Sequence, residues 1–301
     1  PAAVSADRAR IILVDAYTFG DTVLYQWQHT SAARVLLYGT PLEERSPTQA
    51  VPLTGFAACE FTPTNHLLLI TALFADSYGL GYLRFDAPAE VLPVTIHGLM
   101  HQGVGELVDL QHCYANHYLL IYNIDGCSWA YEGALDEEAR TFTVTRVICG
   151  TGMLRHGVLE AIERDKASGR YALSFSTATS PSQLYLVEAD DQVIAETQER
   201  LLGVDPSYLA TGEEASYTSH DGLRISARLY LPAPALGYSG KRPVVFYIHG
   251  GPQSQERPDF TWFSMPLIQF LTLHGFAVWV PNVRGSTGYG LAYMKRIDHD
   301  W

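Results

Sequence analysis

The sequence has no apolar run approaching the roughly 18–20 residues that would span a bilayer. Its first residues show no basic segment followed by an apolar one. Neither a membrane partner nor a secretory leader is expected. Basic residues are scarce, with 20 Lys and Arg against 32 Asp and Glu and a net charge of −12. Nucleic-acid binding needs clustered cations to displace phosphate counterions, so nucleic acid is excluded as a partner. Cysteine is limited to Cys59, Cys113, Cys127 and Cys149, widely spread and without C-x-x-C. Such thiols read as free and buried in a reducing compartment, and a cytoplasmic location is expected. Charged residues make up only 17% against 47% hydrophobic, the balance of a globular chain. Its 301 residues permit two domains, each with a core.

What the sequence does contain is concentrated in residues 243–290. Val244-Val245-Phe246-Tyr247-Ile248 is a short β-branched and aromatic run that His249-Gly250-Gly251-Pro252 stops. It predicts a fully buried strand over 244–248, the kind found in parallel sheets covered on both faces. Ser264 is a candidate cap, Pro266 is tolerable only in a first turn, and Gly275 suits a C-terminal stop. The spacing predicts a helix from about 266 to 274, then a buried strand over 276–280. Strand, helix and strand make a βαβ unit, with its first loop at the carboxyl end of a strand, where open α/β sheets place ligands. Gly250 and Gly251 let the backbone turn tightly and leave a bare N–H facing a cleft. In α/β-hydrolases an HGGG-type loop after the third strand supplies one oxyanion-hole N–H. A plain glycine turn is the alternative.

The second loop decides between them. His249-Gly250-Gly251-Pro252-Gln253-Ser254-Gln255, followed by Asn282-Val283-Arg284-Gly285-Ser286-Thr287-Gly288-Tyr289-Gly290, resembles the prolyl oligopeptidase family, its acylaminoacyl-peptidase and dipeptidyl-aminopeptidase branch above all. Residues 219–232, from Ser219-His220-Asp221-Gly222 to Leu231-Pro232, resemble the hairpin that opens that family's hydrolase domain. The motif-level likeness covers about residues 213–301. It implies a β-propeller ahead of an α/β-hydrolase domain, a Ser-His-Asp mechanism, short peptide substrates and no cofactor. Gly251 and Gly250 become the candidate catalytic positions, as donors to an oxyanion. The required chain order of nucleophile, Asp and His would place all three after Gly290. The one near match to G-x-S-x-G is Gly126-Cys127-Ser128-Trp129-Ala130, in β-patterned sequence with no helix pattern after it. It reads as a turn. The resemblance is therefore to a piece of an enzyme, with the triad outside this chain.

Upstream, a weak repeat supports the propeller. Asn65, Asn116 and Gly169 each place a turn residue before a strand, at spacings of 51 and 53 residues. A period near 40–50 residues with several short strands per unit marks propeller blades; an ordinary β-sandwich is the alternative. Strands are expected over 10–14, 22–27, 34–38, 57–61, 107–112 and 158–163, among others, with a loop over 41–50. The domain reading is residues 1–190 as about four blades of a partial propeller, 191–212 as linker with a short helix over 194–202, and 213–301 as the N-terminal portion of the hydrolase domain. Asp221-Gly222 predicts a hairpin between strands 215–220 and 223–231. Unpaired strand edges would invite self-association as a homo-oligomer.

Arg284 is a candidate substrate-binding residue, through a substrate carbonyl, or a salt-bridging residue that fixes its loop. Tyr289 lines the cleft or packs. His249 reads as a loop brace and not a base. His97 with His101, and His112 with His117 near Cys113, lack the converging set that zinc needs, so no metal is expected. The acidic pairs Glu43-Glu44, Glu137-Glu138 and Glu213-Glu214 read as solvated turns; holding a substrate's free amino terminus is what the resemblance implies for an acidic pair in a propeller, and no one pair is singled out for it. An esterase or lipase of the wider hydrolase fold, and a non-enzymatic propeller scaffold that binds peptides or proteins, remain as other readings.

Overall fold

Successive strands in a computed structural model of the chain build four antiparallel meanders, and the repeat seen in the sequence marks the second strand of three of them. The structure describes residues 2–28, 31–46, 50–88, 90–201, 203–251, 253–260 and 263–297. The first meander is β1 (Ala2–Val4), β2 (Ile11–Thr18), β3 (Asp21–Gln28) and β4 (Ala33–Tyr38). The second is β5 (Cys59–Phe61), β6 (Leu67–Thr71), β7 (Gly79–Leu83) and β8 (Val91–His97). The third is β9 (Gly105–Tyr114), β10 (His117–Ile124), β11 (Cys127–Asp136) and β12 (Thr141–Cys149). The fourth is β13 (Gly157–Arg164), β14 (Tyr171–Thr177), β15 (Ser180–Val187) and β16 (Val193–Ala195). The second and third join into one eight-stranded sheet, because β8 and β12 pair in parallel from Thr95–Thr141 to His97–Thr143.

The side-chain alternation of these strands explains why the meanders stack. In β6, Leu68 and Ile70 enter a cluster with Leu120 and Tyr131 of the third meander, while Leu67 and Leu69 enter a cluster with Ile12 and Leu24 of the first. In β10, Tyr118, Leu120 and Tyr122 face the second meander, and Leu119 faces Tyr171 and Leu173 of the fourth. A strand buried on both faces reads as a continuous apolar run, which is what Leu-Leu-Leu-Ile and Tyr-Leu-Leu-Ile are. Polar ties cross the same seams. Glu132, 2% exposed, accepts from Tyr171 Oη at 2.6 Å and Tyr114 Oη at 3.1 Å. Glu137 accepts from Thr62 Oγ1 at 2.7 Å, from Tyr82 Oη at 2.8 Å and from Thr64. That acid of the Glu137-Glu138 pair is engaged between meanders.

Two expectations move. The helix expected over 194–202 is not formed by its first residues. Ile194 pairs with Leu186, and Val193–Ala195 completes the fourth meander as a strand. Leu202 lies outside the described residues. In the repeat, Asn65 (φ 63°) and Gly169 (φ 76°) take the left-handed turn position. In the third meander Ala115 takes it (φ 45°), one residue before Asn116, whose Nδ2 donates to Leu135 O instead.

The fourth sheet has the order β17-β18-β20-β19, with β17 (Glu213–Thr218), β18 (Arg224–Tyr230), β19 (Val244–Phe246) and β20 (Ala277–Asn282). β19 and β20 are parallel and are linked by α1 (Ser264–Leu273). The helix ends as its glycine demands: Gly275 sits at φ 86°, its N–H bonds Thr272 O, and the Phe276 N–H bonds Leu271 O. Ser264 is the first helical residue and Phe263 the cap position. The fully buried strand expected over 244–248 is corrected. β19 spans three residues, and Val244, Phe246 and Ile248 are 52%, 66% and 60% exposed. The reason is position: β19 pairs only with β20 and forms the sheet edge.

Helix α1 docks this sheet onto the fourth meander. Met265 and Ile268 pack with Val278, Val280 and Tyr230, and with Ala178 from the β14–β15 turn. Gln269, 1% exposed, donates through Nε2 to Ala178 O at 2.7 Å and Ala210 O at 2.9 Å, and its Oε1 accepts from Ala210 N at 2.8 Å. The opposite side of α1 leaves Leu267 and Phe270 exposed.

Candidate active site

Parallel pairing of β19 and β20 makes both conspicuous loops leave the same end of the sheet. The first is His249-Gly250-Gly251; Pro252 lies outside the described residues. Gly250 and Gly251 are exposed, and neither N–H meets an acceptor among the described residues. Gly251 has φ 136°, and a Cβ there would come to 3.0 Å from Gln253 N, so a side chain at this position is strained and crowded.

The second loop runs from Asn282 to Gly290 and leads into α2 (Leu291–Met294). It is tied to the first in two places. His249 Nε2 lies 2.9 Å from Ser286 Oγ, and the Thr287 N–H bonds Ser254 O at 3.0 Å. Ser286 is fully buried and its hydroxyl donates to Val283 O at 2.6 Å, so it accepts from the His249 ring. His249 is thus a brace between loops.

Asn282 laces the base of the site. Its Oδ1 accepts from Glu256 N at 2.9 Å, while Nδ2 donates to Glu256 O at 3.2 Å and to Tyr289 Oη at 2.8 Å. Tyr289 is 8% exposed and packs against Tyr293, and burial pushes its phenol up from the ordinary value. Arg284 makes a two-pronged ion pair with Asp221, at 2.6 Å to each oxygen, and donates to Ser219 Oγ at 2.7 Å. The guanidinium holds the Asp221 carboxyl well below the usual range. Both candidate substrate-binding residues are engaged with protein here, Arg284 fixing its loop to the β17–β18 turn and Tyr289 resting on Asn282. Glu256 is half-buried beside them, and desolvation raises its carboxyl to about 7.

Residues far away in sequence hold the second loop from the meander side. Glu106 Oε1 accepts from Gly290 N at 2.8 Å. Asp76 accepts from Ala292 N through Oδ1 at 2.7 Å and from Leu291 N through its carbonyl at 3.0 Å. Asn123 Nδ2 donates to Gln255 Oε1 at 2.6 Å, and Ser226 Oγ to Asp125 Oδ1 at 3.1 Å. Arg257 donates to Gly126 O and Ser128 Oγ at 2.9 and 3.0 Å. The Gly126-Cys127-Ser128 turn therefore serves as a docking point, and Ser128 also accepts from Leu159 N. Asp76, Glu106 and Asn123 carried no sequence signal, because their partners lie over 130 residues away. Asn282 and Ser286 stand inside the second motif, whose spacing alone does not say which side chains lace it. Elsewhere, His101 Nδ1 lies 2.9 Å from Tyr131 Oη, and His112 Nε2 lies 2.9 Å from Ala115 O.

No family model matches the chain. It is 27% identical over 136 residues to an uncharacterized peptidase, YuxL, of Bacillus subtilis (strain 168), an alignment covering 44% of this chain and 19% of that protein. It is 34% identical over 100 residues to a probable dipeptidyl-peptidase 5 of Aspergillus terreus, covering 33% and 14%. Among solved structures, a prolyl endopeptidase aligns with a TM-score of 0.72 at 16% identity, over 98% of this chain and 39% of that one. A Mycobacterium tuberculosis puromycin-hydrolyzing peptidase aligns with 0.70 at 15%, over 98% and 43%. The chain thus spans well under half the length of the proteins it matches. Its strand-rich portion matches the β-propeller of prolyl oligopeptidases. By sequence and by fold the chain is a relative of the peptidases of the prolyl oligopeptidase family, corresponding to part of their length.

Proposed function

We propose that this chain is the propeller-and-first-strands part of a serine peptidase acting on short peptides, by removal of N-terminal acyl-amino acids, amino acids or dipeptides. The four meanders are blades of a larger propeller, and β17 to β20 begin an α/β-hydrolase sheet that continues past the exposed edge of β19. The nucleophile, its base and its acid lie outside the 301 residues. One observation carries the reading. Two bare N–H groups stand at Gly250 and Gly251, at the carboxyl end of a parallel strand, in a loop braced by the second motif. Donors fixed in advance stabilise the charge that develops on a carbonyl oxygen under attack, and they need no reorganisation to do so. A second N–H beside the nucleophile would complete the hole. Arg284 and Tyr289 act on substrate through the loop they hold. The four cysteines, buried and unpaired, support a reducing compartment.

The test is release of p-nitroaniline from aminoacyl and acyl-aminoacyl substrates by the full-length gene product. Gly251→Ala is expected to lower kcat by about 10²–10³ with KM little changed. Ester turnover without amide turnover would favour an esterase, and an unchanged kcat would remove Gly251 from the oxyanion role.

A further inference from the structure

A cavity of about 370 Å3 opens between the second and third meanders, and none of its lining comes from the fourth sheet. That volume is in the range of small-molecule sites. Its walls are apolar and largely aromatic, from Phe74, Tyr78, Leu80, Leu99, Tyr122 and Ile124. Walls of this kind take flat apolar surface, and a few placed polar groups then set what the surface must carry.

One imidazole, His101, stands on this wall, and its hydrogen bonds fix which nitrogen carries the proton. Tyr131 Oη accepts from Met100 N at 3.4 Å and from His101 N at 3.1 Å, which occupies both of its lone pairs. The phenol hydrogen therefore goes to His101 Nδ1, 2.9 Å away. Burial lowers the imidazole from its ordinary value, so the ring is neutral at pH 7 and its one proton sits on Nε2. Nε2 has no acceptor among the described residues and is not sealed inside protein. The His101 ring centre stands 4.7 Å from that of Tyr122. An N–H donor is thus held ready beside an aromatic face.

The two segments that wall the cavity also hold the fourth sheet. In the segment from Phe74 to Tyr78, Asp76 binds the amides of Leu291 and Ala292. Tyr78 there has φ 61°, a left-handed conformation that a bulky side chain adopts only under constraint. The segment from Leu99 to Gly103 continues into Val104, whose N–H bonds Asp125 Oδ2 at 3.1 Å and whose carbonyl accepts from Asp125 N at 2.8 Å. Asp125 in turn accepts from Ser226 of β18. We propose that this cavity is an effector site for a small, flat, neutral heteroaromatic molecule, its rings against Tyr122 and its ring acceptor on the His101 Nε2–H, and that filling it tightens the grip of Asp76 on the second loop. None of the lining residues belongs to the glycine loops, so the inference stands apart from the peptidase reading.

The experiment is calorimetric titration of the 301-residue chain at neutral pH with quinoline, whose ring nitrogen is an acceptor, and with naphthalene, which has the same shape and no acceptor. Quinoline is expected to bind more tightly by about three- to ten-fold. His101→Phe keeps a ring beside Tyr122 and loses the donor, so it should bind the two equally. Leu99→Trp fills the cavity and should bind neither. A melting curve checks that each variant folds, and His101→Phe carries the test where Leu99→Trp does not fold. In the parent, quinoline at about ten times its Kd should slow hydrogen exchange of the Leu291 and Ala292 amides by about ten-fold. No binding of quinoline at millimolar concentration, equal binding of naphthalene by the parent, binding retained in folded Leu99→Trp, or unchanged exchange at Leu291 and Ala292 would each overturn the proposal.

Discussion

His249 Nε2 and Ser286 Oγ stand 2.9 Å apart, and through this contact a loop after one parallel strand is held by a loop after the next. Ser286 is fully buried, so removing its hydroxyl leaves the Val283 turn and the histidine without their shared partner. Ser286→Ala is expected to destabilise the chain by about 1–3 kcal/mol in urea unfolding, and to shift the His249 ring resonances in NMR. Ser286→Thr, which keeps the hydroxyl but adds a methyl to a filled site, tests packing separately.

Glu106 and Asp76 bind backbone amides of the second loop across roughly 180–220 residues of sequence. Glu106→Ala and Asp76→Ala are each expected to cost about 1–3 kcal/mol, because charge-assisted acceptors are lost to amides that then stand unpaired. Hydrogen exchange gives the check. The Gly290 amide should exchange faster in Glu106→Ala and the Ala292 amide in Asp76→Ala, while those of β6 and β10 should not.

Arg284 and Asp221 set a low-pH limit. Asp221 is held below its ordinary value by the guanidinium, so its contribution is present above the unfolded carboxylate pKa, about 4, and is lost as pH falls below that. Thermal melts of the parent and of Asp221→Asn should differ at pH 7 and converge toward pH 2.

Glu256 has the opposite sign. Burial raises its carboxyl to about 7, so the folded state disfavours its charge. The folded protein keeps the proton where the unfolded chain loses it, and stability falls as pH rises from about 4.5 to about 7. Glu256→Gln should flatten that slope, with equal melting temperature at pH 4.5 and a higher one than the parent at pH 8.

The sequence made the repeating strands legible because a strand between two sheets must be apolar on both sides, and Leu67 to Ile70 shows this without context. Gly275 and Gly222 were legible for a different reason: their backbone angles are open to few other residues. The same apolar signal misled at Val244 to Ile248. Composition records what a strand is suited to be covered by, and among the described residues β19 stands at the sheet edge with Val244, Phe246 and Ile248 exposed. The glycine loops were visible as a motif, but their bracing was not. Asp76, Glu106 and Asn123 reach them through the fold, and only Asn282 and Ser286 are local.

The single amide of Gln269 grips both Ala178 and Ala210, so the chain leaves α1 and comes back to it at one point. Everything between, including β15 and β16, is a detour whose two feet are pinned together. Foreign sequence grafted into the Asp190-Asp191 tip of that detour, or a cut made there, should leave the footing in place. This makes it the natural spot for a tag, a fluorophore or a split-protein junction.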